Sequence, residues 1–209
     1  MNHRLHEVLH GVSCETLERL QVYHDLLLRW QKVKNIVSRT GLDDVWLRHF
    51  ADSAQIFGEG RGAGDWVDLG SGGGFPGLVI AILLAEGNQD TKINLVDSDH
   101  RKCAFLREVS RVTHAPAIVH CARIEDVASE LSNIGVVTAR ALAPMKKLIS
   151  FSMPFLKNGA KGIFLKGRYI ERELIDVSKC SMIKIELKPS KTDRNGRIVT
   201  VTYADHGHT

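Results

Sequence analysis

The chain has 209 residues, 44% of them hydrophobic and 25% charged, with a formal net charge of +4. That size and balance describe one soluble globular domain with core enough to fold alone. They exclude a bilayer-spanning chain, because no apolar run approaches the ~20 residues required. No apolar h-region opens Met1-Asn2-His3-Arg4-Leu5-His6-Glu7, so a cytoplasmic protein without a secretory signal is expected. Cys14, Cys103, Cys121 and Cys180 are scattered without a C-x-x-C pair and read as reduced thiols, not as a disulfide frame or a zinc site.

From the N-terminus, Leu17, Leu20, Tyr23, Leu27 and Trp30 recur at three- and four-residue steps, which predicts an amphipathic helix within 15–36. Asp43-Asp44 can cap a second helix carrying Val45, Trp46, Leu47, Phe50, Ala54 and Phe57, and the glycines of 58–64 read as a linker. Strands then follow at 66–69, 92–96, 117–119, 135–138 and 161–165, with helices at 76–86, 100–113, 125–131, 144–156 and 168–179. Such alternation predicts a doubly wound, Rossmann-like α/β fold with a mostly parallel sheet covered on both faces. Period-two patterns at 182–187 and 197–203 around Asn195-Gly196 predict an antiparallel C-terminal hairpin. Residues 1–60 are thus a helical extension and 61–209 the main domain, expected to form one structural unit.

Asp68-Leu-Gly-Ser-Gly-Gly-Gly-Phe-Pro-Gly77 joins the first strand to the helix after it. Glycines there let backbone approach a ligand. Gly72, Gly74 and Gly77 also fit the dinucleotide spacing G-x-G-x-x-G, so NAD stays open on spacing alone. Asp68 opposes it: a carboxylate facing the crevice would repel a pyrophosphate, whereas S-adenosylmethionine has none and carries an ammonium and a sulfonium. Asp68, Gly70, Gly72 and Gly74 are therefore candidate cofactor residues. Asp97, ending the second strand, is placed to bind ribose hydroxyls, although an Asp there can also be a helix cap. Ile124 and Glu125 can flank adenine and meet its edge, or Glu125 can cap the short helix. Arg140 and Lys166 end the fourth and fifth strands, where ligands sit in open parallel sheets, and can grip phosphate or a guanine edge or simply pair with local acids.

Between Ala139 and Arg172 stand Arg140, Lys146, Lys147, Lys157, Lys161, Lys166, Arg168 and Arg172 against the single acid Glu171. The stretch suggests a polyanionic partner, or a solvated basic face. Phe75 and Tyr169 are stacking candidates, while Trp30, Trp46 and Trp66 read as core. Asn35, Arg48, His49, Asp52 and Ser53 can build a lid or an RNA-facing wall from the extension, with packing roles equally open for His49 and Asp52. His3, His6, His10, His206 and His208 sit near the termini and read as solvated, so no metal site is expected.

These motifs, with Trp30-Gln-Lys-Val-Lys-Asn-Ile36, Arg48-His-Phe-Ala-Asp-Ser53, Leu95-Val-Asp-Ser98, Arg101-Lys102, Phe105-Leu106, Arg123-Ile-Glu125, Ala139-Arg-Ala141 and Leu165-Lys-Gly167, resemble the RsmG (GidB) family within the class I methyltransferases. The resemblance covers nearly the whole chain. It implies S-adenosylmethionine as cofactor, with contacts at Gly70, Phe75, Ile124, Glu125 and Arg140. It implies 16S rRNA in the small ribosomal subunit as partner and N(7) of guanine(527) as target; a monomer is expected, and no membrane partner. N(7) carries no proton, so no catalytic general base is expected. A class I methyltransferase with a small-molecule or protein substrate is a second reading, and a non-catalytic RNA-binding module that keeps the fold a third, which the intact glycine turn and Asp97 oppose.

Overall fold

The computed structural model describes residues 3–38, 44–87, 90–177 and 182–204. Cys180, Asp43, His206, His208 and the last two residues of the helix expected at 168–179 lie outside them.

The elements run α1 (His3–Leu9), α2 (Cys14–Gln31), a π-helical segment (Trp46–Ala51) continued by α3 (Asp52–Ala54), α4 (Phe57–Gly60), β1 (Asp65–Leu69), α5 (Gly77–Leu84), β2 (Ile93–Asp97) and α6 (His100–Thr113). Then come β3 (Ala117–Cys121), α7 (Ile124–Val127), β4 (Ile134–Arg140), α8 (Met145–Leu156), β5 (Lys161–Lys166), α9 (Ile170–Ile175), β6 (Ile183–Pro189) and β7 (Arg197–Tyr203). The sheet order is β3-β2-β1-β4-β5-β7-β6. β1 to β5 are parallel, and β7 lies antiparallel between β5 and β6.

Alternate residues of the central strands enter opposite cores, as the period of two demands. Trp66, Leu95, Val136 and Ile163 join α5, α6 and α2 on one face, while Val67, Val96, Val137 and Phe164 join α8 and α9 on the other. Every residue of α5 is buried. Its apolar character all round requires cover on both sides, and the second cover is the extension, whose Leu20, Tyr23, Leu27, Phe50 and Ile56 share that core. α6 starts where Asp99 accepts from Arg101 N at 2.8 Å and Lys102 N at 3.3 Å, and it ends at His114 in the left-handed conformation.

Three expectations change. The second helix of the extension is π-helical through Trp46–Ala51, although Asp44 does cap it, its Oδ1 accepting from Leu47 N at 3.2 Å. The glycine linker is no free hinge: α4 occupies its start, and a Cβ on Gly60 would lie 2.5 Å from the Trp66 ring. Asn195-Gly196 makes no two-residue turn. It closes a longer loop, 190–196, held by Ser190 N donating to Gly196 O at 3.1 Å.

Candidate functional site

The carboxyl ends of the parallel strands carry two adjoining hollows. The first is a cleft of about 390 Å³ lined by Gly70, Asp97, Ser98, Ile124, Glu125 and Leu142, among others. β1 delivers Gly70 to its wall with φ 66, in the left-handed region that glycine alone adopts cheaply. A Cβ there would meet Leu142 Cδ1 at 2.5 Å. β2 delivers Asp97 to the rim, where Oδ2 accepts from Gly72 N at 2.8 Å and Oδ1 from Asp99 N at 2.9 Å. Each carboxylate oxygen has a second lone pair, so Asp97, fixed by these two bonds, keeps acceptor capacity at the cleft it lines.

Asp68 lies below this cleft, not on it. It is 1% exposed. Its Oδ1 accepts from Thr138 Oγ1 at 2.9 Å and its Oδ2 from Gly77 N at 3.2 Å. Asp68 therefore ties β1, β4 and the start of α5 together under the turn, and the expected crevice-facing charge is corrected to a buried brace. Burial pushes its carboxyl up from 3.8 to about 6, against the lowering effects of Thr138, Ser71, Gly77 and Arg140. A carboxyl raised in the folded state holds its proton more tightly there than in the unfolded chain. Its contribution to stability is full below about pH 4 and is lost as pH rises through about 6. Two pH units correspond to roughly 2–3 kcal/mol. Asp68→Asn can donate to Thr138 Oγ1 and still accept from Gly77 N. Urea unfolding between pH 4 and 8 should show the wild type weakening across that window, and the variant keeping its stability.

The second hollow, of about 270 Å³, is lined by Asp52, Arg140, Lys166, Tyr169, Glu173, Asp193 and Arg197, among others. Ala141 lines both hollows, and its φ of 53 is a left-handed conformation for a residue with a Cβ. Arg140, at the end of β4, donates to Arg48 O at 2.9 Å, stands 3.6 Å from Asp52 Oδ2 and lies 5.0 Å over the Phe75 ring. Burial lowers its pKa and raises that of Asp52, and each partner's charge counters the other's shift. Lys166 pairs with Glu173 Oε2 at 2.7 Å and donates to Ala143 O at 3.0 Å. Tyr169 is 55% exposed, with the guanidinium of Arg168 4.8 Å and that of Arg172 5.7 Å from its ring centre. Among the described residues no group of three or more His, Cys, Asp or Glu is placed to hold a metal ion. Nor is any helix among them long and apolar enough to cross a membrane.

A family model described as rRNA small subunit methyltransferase G (GidB) matches residues 16–196. The chain belongs to the rRNA small subunit methyltransferase G family. Among its relatives, the Ribosomal RNA small subunit methyltransferase G of Methylobacterium radiotolerans is 47% identical over 192 residues, 92% of this chain and 90% of that one. That of Parvibaculum lavamentivorans is 47% identical over 194 residues, 92% of this chain and 85% of that one. The fold is shared with distant solved methyltransferases. An SAH-bound enzyme of Podospora anserina, PaMTH1, has a TM-score of 0.64 at 10% identity, covering 96% of this chain and 92% of that one. A methyltransferase from Geobacter sulfurreducens has a TM-score of 0.59 at 12% identity, covering 98% of each chain. GidB membership makes the protein an rRNA methyltransferase, for which S-adenosylmethionine is the methyl donor. This removes the small-molecule, protein-substrate and NAD readings. The glycine wall and paired acceptors of the cleft fit an adenosyl group.

Of the residues expected at the GidB cofactor site, Gly70, Asp97, Ile124 and Glu125 come together around the cleft. Gly72 stands behind it through its N–H to Asp97, and Gly74 packs towards Tyr23 and Leu78. Phe75 is 4% exposed. Its ring stacks with Tyr23 at 5.2 Å and His49 at 4.7 Å, so it offers no platform to a base. Arg140 faces the second hollow and not the cleft. Arg48 and His49 sit on the π-helical segment, the former lending its carbonyl to Arg140, and Asn35 is exposed in the turn after α2. Ser53 is buried with its hydroxyl on His49 O at 2.6 Å, a packing role. The basic stretch splits: Lys147 on α8 lines the cleft, whereas Lys146 and Lys157 line a separate hollow and Lys161 starts β5 at the far end of the strands. Sequence reasoning missed Glu173, Asp193 and Arg197. Only Glu173 had a signal, seven residues beyond Lys166 in the turn and helix that follow.

Proposed function

We propose that the protein methylates N(7) of a guanine in the decoding-region loop of 16S rRNA, at the position known in the family as guanine(527). The observation that carries this reading is the shared wall at Ala141, which sets the glycine-walled cleft that Asp97 rims beside a hollow rich in cations and paired acids. S-adenosylmethionine, when bound, supplies an electrophilic methyl carbon. Gly70, Asp97, Ile124 and Glu125 orient it. The acids of the second hollow support chemistry without a general base: Asp52 is engaged by Arg140, Thr192 and Gln55, Glu173 by Lys166 and Met145 N, and Asp193 by Asn195 N. N(7) presents a lone pair and no proton, so positioning is the work required, worth roughly 7–11 kcal/mol when geometry is right. Arg140 and Lys166 have spare N–H donors for phosphate or guanine O(6). Aimed at the ring they would oppose its growing positive charge. Tyr169 receives an unpaired base of the loop, and Arg48, His49 and Asn35 form the wall on the extension side.

The test is transfer of a labelled methyl group to small-subunit particles lacking the modification. Label in N(7)-methylguanosine at one site supports the reading, and no label despite donor binding overturns it. Binding to rRNA should weaken steeply with salt. Tyr169→Ala should lower kcat/KM for the RNA substrate by about 5- to 160-fold, the range for one stacked base. Equilibrium binding of the donor should be unchanged.

A further inference from the structure

The glycine turn is held from outside by the extension, on residues that none of the site chemistry uses. Tyr23, on α2, is fully buried, and its hydroxyl donates to the carbonyl of Gly73. Its ring stacks on Phe75 of the same turn and meets Phe50 edge-on at 5.0 Å. The last residue of α2 acts on the same glycine by another route. Gln31 Oε1 accepts from Ile36 N at 2.9 Å and Val37 N at 3.0 Å, and its Nε2 donates to Val37 O at 2.9 Å. Ile36 and Val37, so fixed, lean on Gly73, where a Cβ would lie 2.8 Å from Val37 Cγ1. α2 is anchored in turn to α6 by Trp30 Nε1 donating to Glu108 Oε2 at 2.8 Å.

We infer that α2 is a clamp on the cofactor turn and that Tyr23 is a positioning residue for S-adenosylmethionine, acting through the Gly73 carbonyl. The inference rests on the reading that this turn borders the cofactor cleft. Gly73 is followed by Gly74, whose N–H donates to Ser71 O at 2.7 Å, and preceded by Gly72, whose N–H fixes Asp97. Three successive glycines have little stiffness of their own. Without the hydroxyl the Gly73 carbonyl loses its buried partner, which costs more than the mean worth of a hydrogen bond. The turn then relaxes, and with it the acceptor pair on Asp97.

The experiment is calorimetric binding of S-adenosylmethionine and S-adenosylhomocysteine to the full chain, its Tyr23→Phe variant, Gly73→Ala and the control Asp97→Ala. Thermal unfolding and amide exchange are followed alongside. Tyr23→Phe keeps the ring stack. We expect Kd for both ligands to rise about five- to tenfold, with faster exchange at Gly73 and Gly74. KM for the donor rises in step, and kcat falls less than twofold. Gly73→Ala, which presses on Ile36 and Val37 from the turn side, raises Kd likewise and tests the clamp by its other route; if Tyr23→Phe does not fold, unchanged Kd in Gly73→Ala overturns the inference. Unchanged Kd in the folded variants, with only Tm lowered, leaves Tyr23 a core residue and overturns the inference while Asp97→Ala still loses affinity. If Asp97→Ala binds as well as wild type, the reading of the cleft fails and the inference falls with it.

Discussion

Replacing Asp97 with alanine should weaken S-adenosylmethionine binding by at least about 100-fold. Two hydrogen bonds from ribose hydroxyls to a carboxylate contribute about 1.5–3 kcal/mol each, and a tenfold change in affinity is about 1.4 kcal/mol. The loss is compounded inside the protein, because Gly72 N and Asp99 N both donate to this carboxylate and would be left without it. Asp97→Asn separates the two effects. It keeps one acceptor and the shape of the side chain, so the fold survives and affinity falls to an intermediate value. Calorimetry with donor and product measures both variants. Wild-type affinity in Asp97→Ala would remove the ribose assignment.

The second large effect concerns stability. Arg140→Ala should cost about 3–5 kcal/mol, the range for breaking one half of a mostly buried ion pair. The side chains of Arg140 and Asp52 are 17% and 18% exposed. Removing the guanidinium leaves Asp52 with only Thr192 and Gln55, and uncovers the Phe75 ring. For a chain of this length each kcal/mol shifts Tm by roughly 2–4 °C, so a fall of about 6–20 °C is expected by calorimetric scanning. The charge explanation makes a sharper demand: adding Asp52→Asn to Arg140→Ala should recover a substantial part of that loss, because an amide needs no counter-charge. A double variant no more stable than the single one would assign the cost to packing over Phe75 instead.

Much of this site was legible because its signals are local. The turn from Asp68 to Gly77 declares itself through glycine density between a strand and a helix. Strand-end residues such as Asp97, Arg140 and Lys166 could be placed once alternation fixed the sheet. What stayed hidden depends on distance along the chain. Asp52 and Arg140 pair across 88 positions that no pattern links. Phe75 looked like a ligand platform since its position in the turn was known, but the rings that cover it come from α2 and the π-helical segment. The π-helix itself escaped because one extra residue per turn leaves apolar spacing nearly unchanged over so short a span. Tyr23 fits the core stripe of an amphipathic helix so well that its hydroxyl passed without notice.

The loop between β6 and β7 reaches back to the start of the molecule. Thr192 Oγ1 donates to Asp52 Oδ1 at 2.6 Å across 140 positions, and Gln55 meets Ser190 and Lys191 N in the same way. During synthesis at about 5–20 residues per second, Asp52 emerges on the order of ten seconds before the threonine that completes its surroundings. The residues lining the first cleft end at Phe151, whereas those lining the hollow beside it run on to Arg197. The walls of the two hollows are therefore completed in sequence, the glycine-walled one first and the cation-rich one last.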